Sequence, residues 1–201
     1  MLFFNIDDYL MKKVLVINAN PKSQSFCKSL ANNYASSAAL KHEVKQIHIN
    51  EMNFEISLDK GYEGLAPLEP DLLYFQELVL WSEHIIIVTP VWWGTLPAKF
   101  KGLIDRTFLP NFAFKYREGK AVPDKLLSGR SSELYITLDT PPLWYKYLQG
   151  NAIYKQVKIS ILDFSGIKNR STTYFGPVIS SSINTRQGWL DKVSDLASKL
   201  S

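Results

Sequence analysis

The stretch from residue 84 to residue 108 constrains the fold more than any other part of this chain. It begins with the apolar residues 85–88, and a β-branched run without polar alternation is typical of a strand buried on both faces of a parallel sheet. The strand is expected to end at Pro90. Pro97 then begins a helical pattern that reaches Phe108, because proline suits the first turn of a helix. This order predicts a strand–loop–helix unit of an α/β fold.

Strand and helix signals alternate along the rest of the chain. Apolar runs of strand length occur at residues 14–17, 43–49, 133–138 and 171–175, and helical periodicity occurs at residues 26–34, 69–81, 147–164 and 185–200. Residues 50–69 and 111–125 are expected to be irregular. This alternation predicts a doubly wound parallel sheet of five strands with helices on both faces. We expect a single domain over residues 12–201 and an N-terminal extension at residues 1–11.

Composition excludes several classes of protein. With 46% apolar content in 201 residues, the chain can form one full hydrophobic core. A single cysteine excludes an internal disulfide framework and fits a reducing compartment, so we expect a cytoplasmic protein. No apolar run is close to the length of about 20 residues that is needed to span a bilayer. The net charge of +4 is carried by scattered basic residues, so nucleic-acid binding is not expected.

Two predicted loops carry residues suited to ligand binding, because open α/β sheets bind ligands at the carboxyl ends of their strands. Ser23 and Ser25 follow the first strand, and the amides of Phe26 and Cys27 lie in the first turn of the next helix. Such amides bind phosphate well, although an ordinary helix cap explains the same serines. The loop contains neither a Gly-x-Gly-x-x-Gly nor a P-loop motif.

The second loop follows the third strand and is unusually aromatic. Trp92 and Trp93 are adjacent and are followed by Gly94. Adjacent aromatic rings, a flexible glycine and free backbone amides suit a flat heteroaromatic ring. An aromatic plug over a core strand is the alternative. The histidines lack carboxylate or thiolate partners at metal-ligand spacing, so no metal is expected.

The loop and the helix after it resemble the NAD(P)H dehydrogenase (quinone) family of flavodoxin-like flavoproteins. The resemblance covers residues 13–200 and is strongest at residues 84–116. The motifs that carry it are Pro90-Val91-Trp92-Trp93-Gly94, Pro97-Ala98, Lys101-Gly102, Asp105-Arg106 and Phe112-Ala113-Phe114 with Tyr116. It implies the flavodoxin-like strand order 2-1-3-4-5. It also implies that the Pro90–Gly94 loop lies along the isoalloxazine ring of FMN or FAD, whereas we interpret Asp105-Arg106 as structural.

The resemblance also implies roles for residues outside that loop. Asn20-Pro21-Lys22 followed by Ser25-Phe26 is similar to the family's cofactor-phosphate loop, in which Asn is usual where this chain has Cys27. We interpret Cys27 as a packed residue.

On the loop after the fourth strand, Thr137, Asp139 and Thr140 are implied to lie beside the flavin. This loop has Asp-Thr-Pro-Pro where many members have glycines, so the pocket is expected to differ, and a simple turn remains an alternative. Tyr145 falls where the family has a tyrosine. We expect its hydroxyl to face the open side of the ring and to assist hydride transfer or orient the acceptor.

The implied activity is a flavin-dependent oxidoreductase. Hydride would pass from NAD(P)H to the flavin N5 and then to a quinone or similar small acceptor, in a homodimer. One alternative is a flavin-binding, redox-sensing or regulatory partner of another protein, such as a subunit of a potassium efflux system. An electron-transfer flavodoxin is a third possibility, but those proteins tend to be acidic and this chain has a pI of about 9.0.

Overall fold

The computed structural model of the protein describes residues 11–59, 61 and 67–200. The strands in this part of the chain are β1 (Lys13–Asn18), β2 (Glu43–His48), β3 (His84–Pro90), β4 (Phe114–Lys115), β5 (Asp124–Lys125), β6 (Ser131–Thr137) and β7 (Lys168–Phe175). Five of them form one parallel sheet in the order β2-β1-β3-β6-β7. In chain order this is 2-1-3-4-5, so the predicted topology is confirmed.

Helices cover both faces of the sheet. They are α1 (Phe26–Ala38), α2 (Pro70–Trp81), α3 (Ala98–Thr107), α4 (Pro142–Tyr147), α5 (Ala152–Tyr154) and α6 (Ile183–Ser198), with a 3₁₀ turn at Ile49–Glu51 and a π-helix at Lys155–Asp163. Side chains of a strand alternate between two faces. Ile86 and Val88 therefore pack with α1 and α6, whereas Ile85 and Ile87 pack in a second core with α2, α3 and the π-helix.

The structure corrects the predicted helix over residues 147–164. The helical region begins earlier, at Pro142, and is interrupted after α4. Gly150 and Asn151 adopt left-handed backbone angles, with φ of 77° and 54°, and a right-handed helix cannot continue through such residues. The chain then continues through α5 into the π-helix. Residues 111–125, predicted to be irregular, contain the antiparallel pair β4–β5.

Arg106 anchors the long connection before α2. Its Nη1 donates to the backbone oxygen of Glu55 at 2.6 Å, and its Nη2 donates to Glu69 Oε2 at 2.7 Å. A Cβ atom on Gly102 would lie 2.8 Å from the backbone oxygen of Ile56, so only glycine lets the connection approach α3 this closely. These contacts give Arg106 a structural role, as the sequence led us to expect.

The predicted N-terminal extension lies outside the described residues except for Met11, so its small contribution to the fold stays a prediction. In the part of the chain that the structure describes, no helix combines the length and apolar character needed to cross a membrane. A search of the same residues finds no group of three or more His, Cys, Asp or Glu side chains able to hold a metal ion.

Candidate functional site

A cavity of about 240 Å³ lies where β1, β3 and β6 end. These neighbouring parallel strands end at the same edge of the sheet, so the loops after them meet there. Most of the predicted cofactor-binding residues line it, namely Asn20, Ser25, Phe26, Cys27, Pro90, Val91, Trp92, Thr137 and Asp139. Ser23, Trp93, Gly94, Thr140 and Tyr145 are not part of the lining. Lys22, which belongs to the motif similar to the cofactor-phosphate loop, lines it as well. Leu138, Val178 and Ile179 also line it, and they were not predicted to bind the cofactor.

The first loop is shaped by side chains that bond to their own backbone. Asn18 Oδ1 accepts a hydrogen bond from the amide of Asn20 at 3.2 Å, and Asn20 Oδ1 accepts one from the amide of Lys22 at 3.0 Å. Ser25 caps α1, because its Oγ accepts a bond from the amide of Lys28 at 3.2 Å. The capping interpretation of Ser25 is therefore confirmed. Ser25 also lines the cavity, so the positive end of the α1 dipole lies at the cavity.

Cys27 joins the start of α1 to the end of β6. Its Sγ lies 3.0 Å from Thr137 Oγ1, and its side chain is almost completely buried. Burial raises the pKa of the Cys27 thiol to about 11. The thiol is therefore neutral near pH 7 and is a poor nucleophile, which agrees with its interpretation as a packed residue.

Residues 92–95, called here the aromatic turn, form a tight reversal of the chain. The amide of Trp92 donates to the oxygen of Thr95, and the amide of Thr95 donates to the oxygen of Trp92, both at 3.0 Å. Trp93 and Gly94, between them, have φ of 49° and 80°. Positive φ at both central residues is the requirement of a type I′ turn. This backbone is natural for Gly94 but unfavourable for Trp93.

The two tryptophans of the aromatic turn lie in different environments. Trp92 is 44% exposed and borders the cavity, whereas Trp93 is fully exposed. The amide of Val91 donates to the oxygen of Thr137 at 2.8 Å, which extends the pairing of β3 with β6 up to the turn. The turn therefore stands on the rigid edge of the sheet.

Tyr145 supports the aromatic turn from behind. Its side chain is fully buried, its hydroxyl donates to the oxygen of Gly94 at 2.9 Å, and the amide of Ile153 donates to that hydroxyl at 3.0 Å. Burial raises the pKa of Tyr145. This arrangement differs from our expectation that the hydroxyl faces the open side of a bound ring. The reason is that α4 directs Tyr145 into the core.

Asp139 bridges two of the loops around the cavity. Its Oδ1 accepts a hydrogen bond from the amide of Ile179 at 2.8 Å, and the amide of Val178 donates to the oxygen of Leu138 at 3.0 Å. The loop after β7 is thereby joined to the loop after β6. The signal that could have revealed Val178 and Ile179 is topological, because β7 ends at the same edge of the sheet.

An apolar surface lies beside the aromatic turn. Helix α4 is joined to the turn through the hydroxyl of Tyr145. The large exposed apolar side chains of the turn and of the α4 region are Trp92, Trp93, Leu143, Trp144, Tyr147 and Leu148.

Comparison with known proteins agrees with this architecture. A family model described as a flavodoxin-like fold matches residues 12–195. An uncharacterized NAD(P)H oxidoreductase of Haemophilus influenzae is 25% identical over 172 residues, which are 82% of this chain and 83% of that protein.

Solved structures are similar over nearly the whole chain. A Streptococcus mutans protein is 26% identical with a TM-score of 0.82, and the match covers 94% of this chain and 100% of that one. An NAD(P)H:quinone oxidoreductase from Methanothermobacter marburgensis is 20% identical with a TM-score of 0.75, covering 95% and 100%. An FMN-dependent NADH-azoreductase from Bacillus anthracis, in complex with FMN, is 21% identical with a TM-score of 0.67, covering 94% and 99%. The last two matches support the fold alone.

Proposed function

Because the chain belongs to the flavodoxin-like fold family, we propose that it is a flavin-dependent NAD(P)H oxidoreductase that reduces a quinone or a similar small acceptor. The observation that carries the proposal is that the start of α1 and the aromatic turn line the same cavity. The first feature suits a phosphate, and the second suits a flat ring. The similarity to the NAD(P)H oxidoreductase of Haemophilus influenzae supports the same assignment.

The lining residues fit FMN or the FMN half of FAD. Lys22, Ser25 and the amides at the start of α1 offer positive charge and donors for the phosphate. Asp139 is the one carboxylate among the lining residues described, and its Oδ1 already accepts a bond from Ile179. The backbone of Pro90–Trp92 forms the wall for the ring.

The bound flavin would supply the redox chemistry by accepting a hydride from NAD(P)H and passing it to the acceptor. The residues of this chain position the reactants and exclude water. Trp92 borders one side of the cavity. The amides of Trp92 and Thr95 are already bonded to each other's backbone oxygens. The donors proposed to stabilise negative charge on the ring edge are therefore the amides of Trp93 and Gly94, because preorganised donors are a large term in catalysis. The neutral thiol of Cys27 lines the cavity and contacts Thr137 Oγ1, so we give it a packing role in this proposal.

We also propose that the protein forms a homodimer through the apolar surface of the aromatic turn and α4. A second copy would remove these side chains from water and would narrow the opening of the cavity. Size-exclusion chromatography with light scattering measures the mass directly. A monomer at micromolar concentration would contradict this part of the proposal.

The proposal is tested by reconstituting the purified chain separately with excess FMN and FAD, removing unbound cofactor by gel filtration and recording the absorbance. Oxidation of NADH and of NADPH is then followed with a soluble quinone. Trp92→Ala should reduce flavin retention, whereas the control Trp81→Ala, at the end of α2, should not. No flavin absorbance would overturn the proposal. Flavin binding without NAD(P)H oxidation would favour the redox-sensing alternative.

A further inference from the structure

We propose that Tyr145 is a positioning residue that holds the aromatic turn in its unfavourable conformation, and that this conformation sets flavin affinity and ring placement. The inference rests on the proposed function and adds a residue whose hydroxyl never touches the cofactor. It replaces a direct catalytic role for Tyr145 with an indirect one, exerted through the oxygen of Gly94.

The aromatic turn needs an external support. Trp93 adopts left-handed backbone angles while its side chain is fully exposed, so burial of the indole does not offset the strain within this chain. A strained residue of this kind persists only where the surroundings over-determine it. The two backbone bonds between Trp92 and Thr95 close the turn, but they do not fix it relative to the cavity.

The support comes from the helical region that runs from α4 to the π-helix. The Tyr145 hydroxyl donates to the oxygen of Gly94 at 2.9 Å and accepts from the amide of Ile153 at 3.0 Å. Thr95 Oγ1 donates to Gln156 Oε1 at 3.1 Å. Two successive residues of the turn are therefore joined to one helical region, and Gln156 lies in the π-helix. Such helices are rare and are frequent at functional sites.

The bonds of Tyr145 are specific and do not follow from burial alone. Tyr34 is also completely buried, on the opposite face of the sheet, and its hydroxyl has no hydrogen-bond partner among the described residues. This fold can therefore bury a tyrosine without engaging its hydroxyl. The Tyr145 hydroxyl has a donor and an acceptor on two different segments, and its ring lies 6.5 Å from that of Tyr174, which keeps the hydroxyl in place.

Removal of this hydroxyl should release the turn. Tyr145→Phe leaves the oxygen of Gly94 and the amide of Ile153 without this partner, and buried unpaired groups are unfavourable. The turn would then sample conformations in which the backbone of Trp93 is relaxed and Trp92 leaves the cavity wall. A net hydrogen bond corresponds to about a 2- to 10-fold change in an equilibrium, and we expect flavin affinity to fall by this factor.

The first measurement is amide hydrogen exchange by NMR on the protein without added cofactor. In Tyr145→Phe we expect the protection of the Trp92 and Thr95 amides to fall by about 2- to 10-fold, the change in an equilibrium that one net hydrogen bond makes. Thr95→Val, which removes the second tether, should act in the same direction. The matched control is Tyr174→Phe, whose hydroxyl donates to Asn151 Oδ1 at 2.8 Å and not to the turn. It should leave these two amides unchanged.

The second measurement is flavin binding, by fluorescence titration and by visible circular dichroism of the bound flavin. Tyr145→Phe should weaken affinity and change the dichroism, because the ring is held differently, whereas Tyr174→Phe should change neither. Equal protection of the turn amides in wild type and Tyr145→Phe would overturn the positioning role. Failure of the wild-type protein to bind flavin would instead overturn the proposed function, with the exchange result still deciding whether Tyr145 holds the turn.

Discussion

Trp93 is the position at which a substitution should stabilise the protein while weakening its proposed function. Trp93→Asn converts the centre of the aromatic turn from Trp-Gly to Asn-Gly, which is the sequence that type I′ turns favour most. Asparagine tolerates the left-handed region because its short side chain bonds locally. The indole of Trp93 is fully exposed, so its removal sacrifices no buried apolar area within the chain.

The expected gain follows from the backbone. A left-handed conformation costs an ordinary L-residue about 1–2 kcal/mol, and asparagine recovers much of this. We therefore expect the free energy of unfolding to rise by about 0.5–1.5 kcal/mol. For a domain of this size 1 kcal/mol shifts the melting temperature by about 2–4 °C, so Tm should rise by about 1–6 °C. Trp93 is not part of the cavity lining, but flavin affinity should fall, because the family resemblance implies that the loop carrying Trp93 lies along the flavin ring.

The assay is thermal unfolding by circular dichroism of the cofactor-free protein at several protein concentrations, followed by flavin titration. Gly94→Ala is the reciprocal control. A Cβ atom at Gly94 meets no atom within 4 Å, so this variant changes only backbone strain and should lower stability by about 1 kcal/mol. A lower Tm for Trp93→Asn at every concentration would refute the strain argument. A decrease in Tm that becomes larger as the protein concentration rises would show that a second copy buries Trp93.

Other perturbations probe the fold. Burial lowers the pKa of His84 to about 3, so between pH 6.5 and 3 the unfolded chain binds a proton that the folded chain does not. The free energy of unfolding measured in urea should therefore be about 2 kcal/mol lower at pH 5 than at neutral pH. The decrease should be smaller in His84→Gln. Arg106→Met should lower the free energy of unfolding by about 2–4 kcal/mol, because Glu69 Oε2 and the backbone oxygen of Glu55 lose their guanidinium donor. Lys101→Met, in an exposed pair with Asp105, should lower it by less than about 1 kcal/mol. Deleting residues 1–10 should shift Tm by only a few degrees, or about 1 kcal/mol, and a larger loss would show that they pack on the core.

The sheet could be predicted because its strands carry a simple signal. The apolar run at residues 85–88 is typical of a strand that is covered on both faces. The right-handedness of crossover connections then limits the possible strand orders. The helical region after β6 could not be predicted as well. Its interruption depends on left-handed backbone at Gly150 and Asn151. Its π-helix depends on contacts with distant residues such as Thr95, and apolar periodicity carries no information about either.

The position of the candidate site could also be predicted, because loops after neighbouring parallel strands must meet at one edge. The orientation of side chains within it could not. Tyr145 was expected to face the open side of a bound ring, yet its hydroxyl bonds to the oxygen of Gly94. Asp139 lines the cavity as expected, but its bond to the amide of Ile179 was not predicted. Both partners are backbone atoms, and any residue type at those positions would supply them. No sequence pattern therefore marks these bonds.

The aromatic turn shows where local sequence preference and the observed structure disagree. The Gly94 signal favours a turn, but tryptophan before it disfavours the left-handed backbone that the turn requires of Trp93. Asparagine or glycine there would satisfy the backbone and leave the fold unchanged. A strained aromatic residue, fully exposed and fixed by tethers from Tyr145 and Gln156, has no explanation in the stability of this chain alone. Because natural sequences depart from local rules mainly at functional positions, the strain itself argues that this turn contacts a ligand or a second copy.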